Sequence, residues 1–135
     1  MKAKKTGPRQ AAKGKSRTMR ERPKMPPVSD EMKQWAAMLK TEVSGWPQVS
    51  TRPMFGMQGL YRRKKIFAAL PVTRGFDTPN SIVFRFDPLP RDLEQRALKE
   101  PRIAPGKRWF SFEIRCTEDL RDALWWLNHA YERAN

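Results

Sequence analysis

Four consecutive cations, Arg62, Arg63, Lys64 and Lys65, follow the segment Met54-Phe55-Gly56-Met57-Gln58-Gly59-Leu60-Tyr61. Cations packed this closely at a turn make a positive field that can meet a phosphate backbone without reading sequence. A second group, Lys107, Arg108 and Trp109, sets an indole beside two cations. That combination can stack an unpaired base while neutralising its phosphates. With Arg52, upstream in the same segment, these residues form the candidate nucleic-acid-binding set.

Catalytic chemistry finds no comparable grouping. The chain has one histidine, His129, and one cysteine, Cys116. Nucleophilic catalysis needs Ser, Thr or Cys beside a base that a third group orients, and a lone imidazole away from the main apolar stripe of its helix reads as a surface residue. Neither the Gly-x-x-x-x-Gly-Lys phosphate loop nor Gly-x-Gly-x-x-Gly occurs. Glu118, Asp119 and Asp122 read as first-turn charges at a helix N-terminus rather than as a carboxylate pair. Cys116, at the end of an alternating strand, reads as a half-buried small residue. One cysteine allows no internal disulfide, and no cluster has zinc-ligand spacing. The expectation is a non-enzymatic protein with no catalytic, metal or cofactor site.

Charge narrows the partners. The formal charge is +14, of which residues 1 to 28 supply ten Lys or Arg against the single Glu21. This segment has no aromatic residue and no hydrophobic period, so it cannot bury enough surface to offset the entropy of ordering, and it reads as a disordered basic tail. No apolar run approaches the roughly 18 residues of a membrane helix, and the basic N-terminus lacks a secretory apolar stretch. A cytoplasmic protein with no membrane contact is expected, as a monomer or homodimer.

The elements that must position these residues follow from hydrophobic spacing. Ser29 is an N-cap candidate for a helix whose face is Met32, Trp35, Leu39, Val43 and Trp46. From Gln48 to Leu70 the pattern is that of a β-meander punctuated by Gly56, Gly59 and the Arg62 to Lys65 turn. Ile82, Phe84 and Phe86 alternate in a further strand; a short helix opens at Pro90; and Phe110, Phe112 and Ile114 share one strand face, with Trp109 on the other. Trp109 is then solvated, covered by a helix or a second copy, or used for stacking. Thr117 is positioned to cap a last helix with Leu120, Ala123, Leu124, Leu127, Ala130 and Tyr131 in one stripe. Trp125 lies off that stripe beside His129, so the two form a candidate partner surface. The result is a single α+β domain over residues 29–135, a curved, mainly antiparallel sheet with N- and C-terminal helices packed on it.

The segment from Arg52 to Leu70 resembles the signature of the TfoX N-terminal domain family. The matching residues are Arg52, then Met54, Phe55 and Gly56, then Gly59, Leu60 and Tyr61, and then Phe67, Ala68 and Leu70. The related YjbR-like proteins are similar in this stretch and in a late tryptophan strand and closing helix. The resemblance implies a small α+β domain and a regulatory, non-catalytic role. The chain departs from the pattern at Met57, where a glycine is usual, and at the Arg62 to Lys65 turn. It also ends without the second domain of the name-giving members, so their role in regulating competence genes does not carry over whole. The reading is an accessory or regulatory protein associated with nucleic acid, DNA rather than RNA and without base preference. The alternative is a protein-interaction or chaperone-like adaptor.

Overall fold

The computed structural model describes residues 27–76 and 78–134. The expectation of a disordered tail falls outside the described residues, except at Pro27 and Val28. Val28 belongs to the core, 9% exposed, and its N–H donates to the Thr73 carbonyl at 3.3 Å. The packed unit therefore starts one residue before the expected boundary.

Helix α1, Asp30–Ser44, begins where Ser29 accepts the Met32 N–H at 3.1 Å, and the same hydroxyl donates to Asn80 Oδ1 at 2.7 Å. Asp30 and Glu31 lie in its first turn, against the positive end of the helix dipole. The meander follows as β1, Val49–Met54; β2, Met57–Arg62; and β3, Lys65–Pro71. Then come β4, Ser81–Arg85; α2, Arg91–Leu98; β5, Ile103–Ala104; β6, Trp109–Glu113; and α3, Asp119–Glu132. The strands form one six-stranded sheet in the order β1-β2-β3-β4-β6-β5, antiparallel at every pairing.

The alternation of apolar residues decides which face is covered. Leu60, Phe67, Leu70, Ile82, Phe84, Phe110 and Phe112 pack with Met32, Trp35 and Leu39 of α1, Leu93 of α2 and Leu120, Trp126 and Leu127 of α3 in one core. Each fully buried Phe or Leu contributes about 1.5–3 kcal/mol relative to leaving it exposed. Among the described residues the other face carries no helix residue, only a small cluster of Met57, Ala69 and Val83 with Met54 and Trp109 against it. The α+β fold with helices on an antiparallel sheet is thus as the pattern predicts.

Two local devices shape the meander. Phe55 and Gly56, at φ 51° and 80°, make the two-residue connection between β1 and β2, the handedness that suits the twist of a hairpin. The Gly56 carbonyl then accepts N–H groups from Val72, Thr73 and Arg74 at 3.1, 2.9 and 3.1 Å, gripping the segment after β3. Leu60 faces Ala68 and Tyr61 faces Ile66, so Phe67 is the extra residue of a bulge in β3.

Helix α3 departs from expectation at its start. Its N-cap is Glu118, without a side-chain hydrogen bond, and Thr117 instead contributes its carbonyl to the Leu120 N–H at 3.1 Å. Asp119 closes the turn from inside the helix by accepting the Arg115 N–H at 2.8 Å. Among the described residues no helix is long and apolar enough to cross a membrane.

Candidate nucleic-acid interface

Antiparallel pairing decides which cations meet. Arg62 pairs with Lys65 across the β2–β3 turn, and Arg85 pairs with Trp109 across β4 and β6. The end of β2, the start of β3, the end of β4 and the start of β6 therefore lie at one end of the sheet. Arg63, Lys64 and Lys65 are exposed there. So are Lys107 and Arg108, in the loop entering β6, whose Arg108 carbonyl accepts the Phe86 N–H at 2.9 Å. Two cations that the sequence did not single out join them. Arg85 and Arg133 line, with Lys65 and Asp87, a cleft between the sheet end and the last turn of α3. Only strand register brings Arg85 to this end, which is why spacing alone did not find it.

Asp87 lies within this cationic group, 3.4 Å from both Arg85 and Arg108. The side chains of Asp87 and Arg108 are more than half exposed, and solvated pairs of this kind are worth about 0–1 kcal/mol. The Arg108 guanidinium can thus exchange the carboxylate for another anion at little cost.

Two members of the candidate set have other duties. Arg62 is half-buried over the Tyr131 ring, its Cζ 4.5 Å from the centroid, and Nη1 donates to the carbonyls of Tyr131 and Glu132 at 3.0 and 3.4 Å. It satisfies carbonyls at the C-terminus of α3, where a cation also complements the helix dipole. Arg52 sits mid-strand opposite Gly59, on the helix-free face, with Cζ 4.8 Å from the Tyr61 ring centroid. The structure does not bring it to the cationic end.

The motif residues are architectural. Leu60 and Phe67 are fully buried in the main core, Gly59 lies beside Tyr61 on the opposite face, and Phe55-Gly56 forms the turn. Trp109 lies on the helix-free face as its alternation predicts, half-buried against the Met57, Ala69 and Val83 cluster.

Trp125 and His129 do lie together, and a residue of another helix joins them. Arg96 of α2 places its Cζ 4.0 Å from the Trp125 ring centroid, and the His129 ring lies 4.1 Å away on the same helix. Trp125 is half-buried between them because α2 packs on this flank of α3, a contact that a wheel of α3 alone cannot show. His129 is likewise not a free surface residue, since its Nδ1 is buried without a hydrogen-bond partner. Cys116, expected to be half-buried, is exposed.

The acids also find a role that the sequence concealed. Glu100, Asp119 and Asp122 converge on Arg102, at 2.6, 2.7 and 2.9 Å, and its guanidinium lies 4.8 Å from the Phe112 ring centroid. The side-chain hydrogen bonds from Arg102 hold the Glu100 carboxyl below its ordinary range. For Asp119, burial acts to raise the pKa, but the Arg115 N–H and the Arg102 guanidinium outweigh it and the net direction is downward. This arrangement fastens the β5 segment to the start of α3. No cluster of His, Cys, Asp and Glu with metal-binding geometry occurs among the described residues.

Compared with models of known protein families, with curated proteins and with solved structures, the chain gives no match, and the geometry of the cationic sheet end stands on its own.

Proposed function

We propose that this protein is a non-enzymatic accessory or regulatory protein that associates with nucleic acid through the cationic end of its sheet and through its basic N-terminal segment. The observation that carries this reading is the convergence of Arg63, Lys64, Lys65, Arg85, Lys107 and Arg108 at one end of a rigid sheet, most of them exposed. Clustered exposed cations raise the local positive potential and favour a polyanion over isolated carboxylates. The resemblance of residues 52–70 to the TfoX N-terminal domain supports a regulatory rather than a catalytic role. Pro27 bridges to Arg74, at the opposite end of strands about 20 Å long. The described residues therefore begin at the end of the sheet away from the β2–β3 turn.

The test is a salt titration of binding to a random-sequence duplex, comparing the full chain with the triple variant Arg63→Ser, Lys64→Ser, Lys65→Ser. With about 0.9 counterions released per phosphate contact, the slope of log K against log salt falls in magnitude by about 2–3 in the variant. An unchanged slope assigns the binding to other cations. No binding by the full chain at low salt overturns the nucleic-acid reading.

A further inference from the structure

We propose that a cleft on the helix-free face of the sheet is a site for an unpaired base of a single-stranded nucleic acid. In it Trp109 and Phe76 stack the base, and Arg85, Lys107 and Arg108 contact the phosphates beside it. This rests on the nucleic-acid reading above and adds to it the strandedness of the ligand and a defined pocket.

The cleft lies over β4, β6 and β5, between Phe76 and the loop from Pro105 to Arg108, with Ala104 and Ser111 also at its border. Its volume is about 660 Å³. It is an open cleft, wide enough for a base to lie across its aromatic wall. Its two aromatic walls have different origins. Trp109 is seated against the Met57, Ala69 and Val83 cluster, which leaves only part of its surface for a ligand. Phe76 stands in the loop between β3 and β4 and is 48% exposed, so its ring is open to the cleft it lines.

The cations are placed by the same backbone. Gly106 runs so close to β6 that a Cβ there would stand 2.3 Å from the Trp109 carbonyl oxygen, so the loop can lie against the strand only with glycine. That approach sets Lys107 and Arg108 at the rim beside Trp109. Arg85 is the strand partner of Trp109, and with Arg108 it shares Asp87 at 3.4 Å, an exposed contact that a phosphate can displace.

The occupant follows from this chemistry. Aromatic surface flanked by guanidinium and ammonium groups suits a planar, electron-rich ring joined to a phosphate. A paired base shows only its edges in the grooves of a duplex, and its faces are covered by its neighbours in the stack. A cleft with aromatic walls can therefore take a base from a single strand and not from a duplex. Thymidine and uridine strands offer the same face and phosphates, so the site accepts either sugar unless a contact to the 2′-hydroxyl intervenes.

The experiment measures the affinity of the full chain for oligo-dT, oligo-U, an abasic deoxyribose oligomer of equal length and a duplex. The variants Trp109→Ala, Trp109→Phe and Phe76→Ala are measured beside it. The expected result is that the full chain binds oligo-dT or oligo-U about five- to hundredfold more tightly than the abasic strand. Trp109→Ala and Phe76→Ala should lose most of that preference, Trp109→Phe should keep it, and duplex affinity should change less than about twofold. Trp109 also packs, so Phe76→Ala and the abasic strand decide the matter if Trp109→Ala fails to fold. Equal binding of abasic and thymidine strands by a chain that still binds duplex would overturn the cleft and leave the broader reading standing. No binding to any of the oligomers would overturn both.

Discussion

The guanidinium of Arg62 lies over the ring of Tyr131, with Cζ 4.5 Å from the centroid, while Nη1 donates to the Tyr131 carbonyl at 3.0 Å. Tyr131 in turn donates its hydroxyl to the Pro47 carbonyl at 2.8 Å and packs against Trp46 and Phe67. One ring therefore ties together the β2–β3 turn, the segment after α1, the centre of the sheet and the last turn of α3.

This linkage separates Arg62 from the cations that follow it. Arg62→Ser should cost about 2 kcal/mol, through lost charge-assisted hydrogen bonds and a lost cation–π contact. That corresponds to a melting point lower by roughly 5–10 °C. Arg63→Ser, Lys64→Ser and Lys65→Ser together should move it by less than about 2 °C, because surface changes stay within about 0.5 kcal/mol. Calorimetry of the two proteins decides it, and equal losses would mean that the exposed cations also hold the turn in place.

The β1–β2 turn offers opposite outcomes at neighbouring positions. Gly56→Val should destabilise by about 2–3 kcal/mol. The backbone there is at φ 80°, and a Cβ would come within 2.9 Å of Arg74 Cγ and Thr73 Oγ1. Phe55 holds φ 51° with 85% of its surface exposed, so its ring contributes little to the fold. Phe55→Asn makes an Asn-Gly turn of the favoured hand and should stabilise by about 0.5–1 kcal/mol. Chemical denaturation reads both, and a lower midpoint for Phe55→Asn would reveal a packing role for the ring.

Acid should loosen the attachment of β5 to α3. Glu100 and Asp119 are held below their ordinary values of 4.5 and 3.8 in the folded protein. The folded state thus binds fewer protons than the unfolded chain as the pH falls. The stability they provide is full above the ordinary values and is lost as the pH falls through the lower folded ones. Arg102→Met leaves three carboxylates close together without their cation and should cost about 2–3 kcal/mol near neutral pH. The gap between wild type and variant should narrow below about pH 4, as the carboxylates take up protons. Melting curves from pH 3 to 7 measure it, and a gap independent of pH would show that Arg102 acts through packing on Phe112 alone.

The order of helices and strands was legible in the chain because each element carries its own period. Ser29 with Asp30 and Glu31 marks the start of α1, and Phe110, Phe112 and Ile114 alternate as a strand with one buried face must. The failures have a common cause. Thr117 does not cap α3, whose first turn is instead held by Asp119 through hydrogen bonds with Arg115 and Arg102, the latter 17 residues away. Trp125 is not free, because Arg96 comes from another helix. Arg62 has a structural duty that spacing did not show, because the carbonyls to which it donates belong to α3, 69 and 70 residues later.

The candidate interface divides along the same line. The chain by itself determined that its folded part carries clustered cations and an indole on a strand face turned away from the core, since charge and alternation are local properties. Only the tertiary structure decided that the turn at Arg63 to Lys65, Arg85 and the loop at Lys107 and Arg108 share one end of the sheet, and that Phe76 faces the same cleft as Trp109. The reason is that strand register and loop docking are fixed by pairings between distant segments, and residues brought together by such pairings leave no spacing in the sequence to be read.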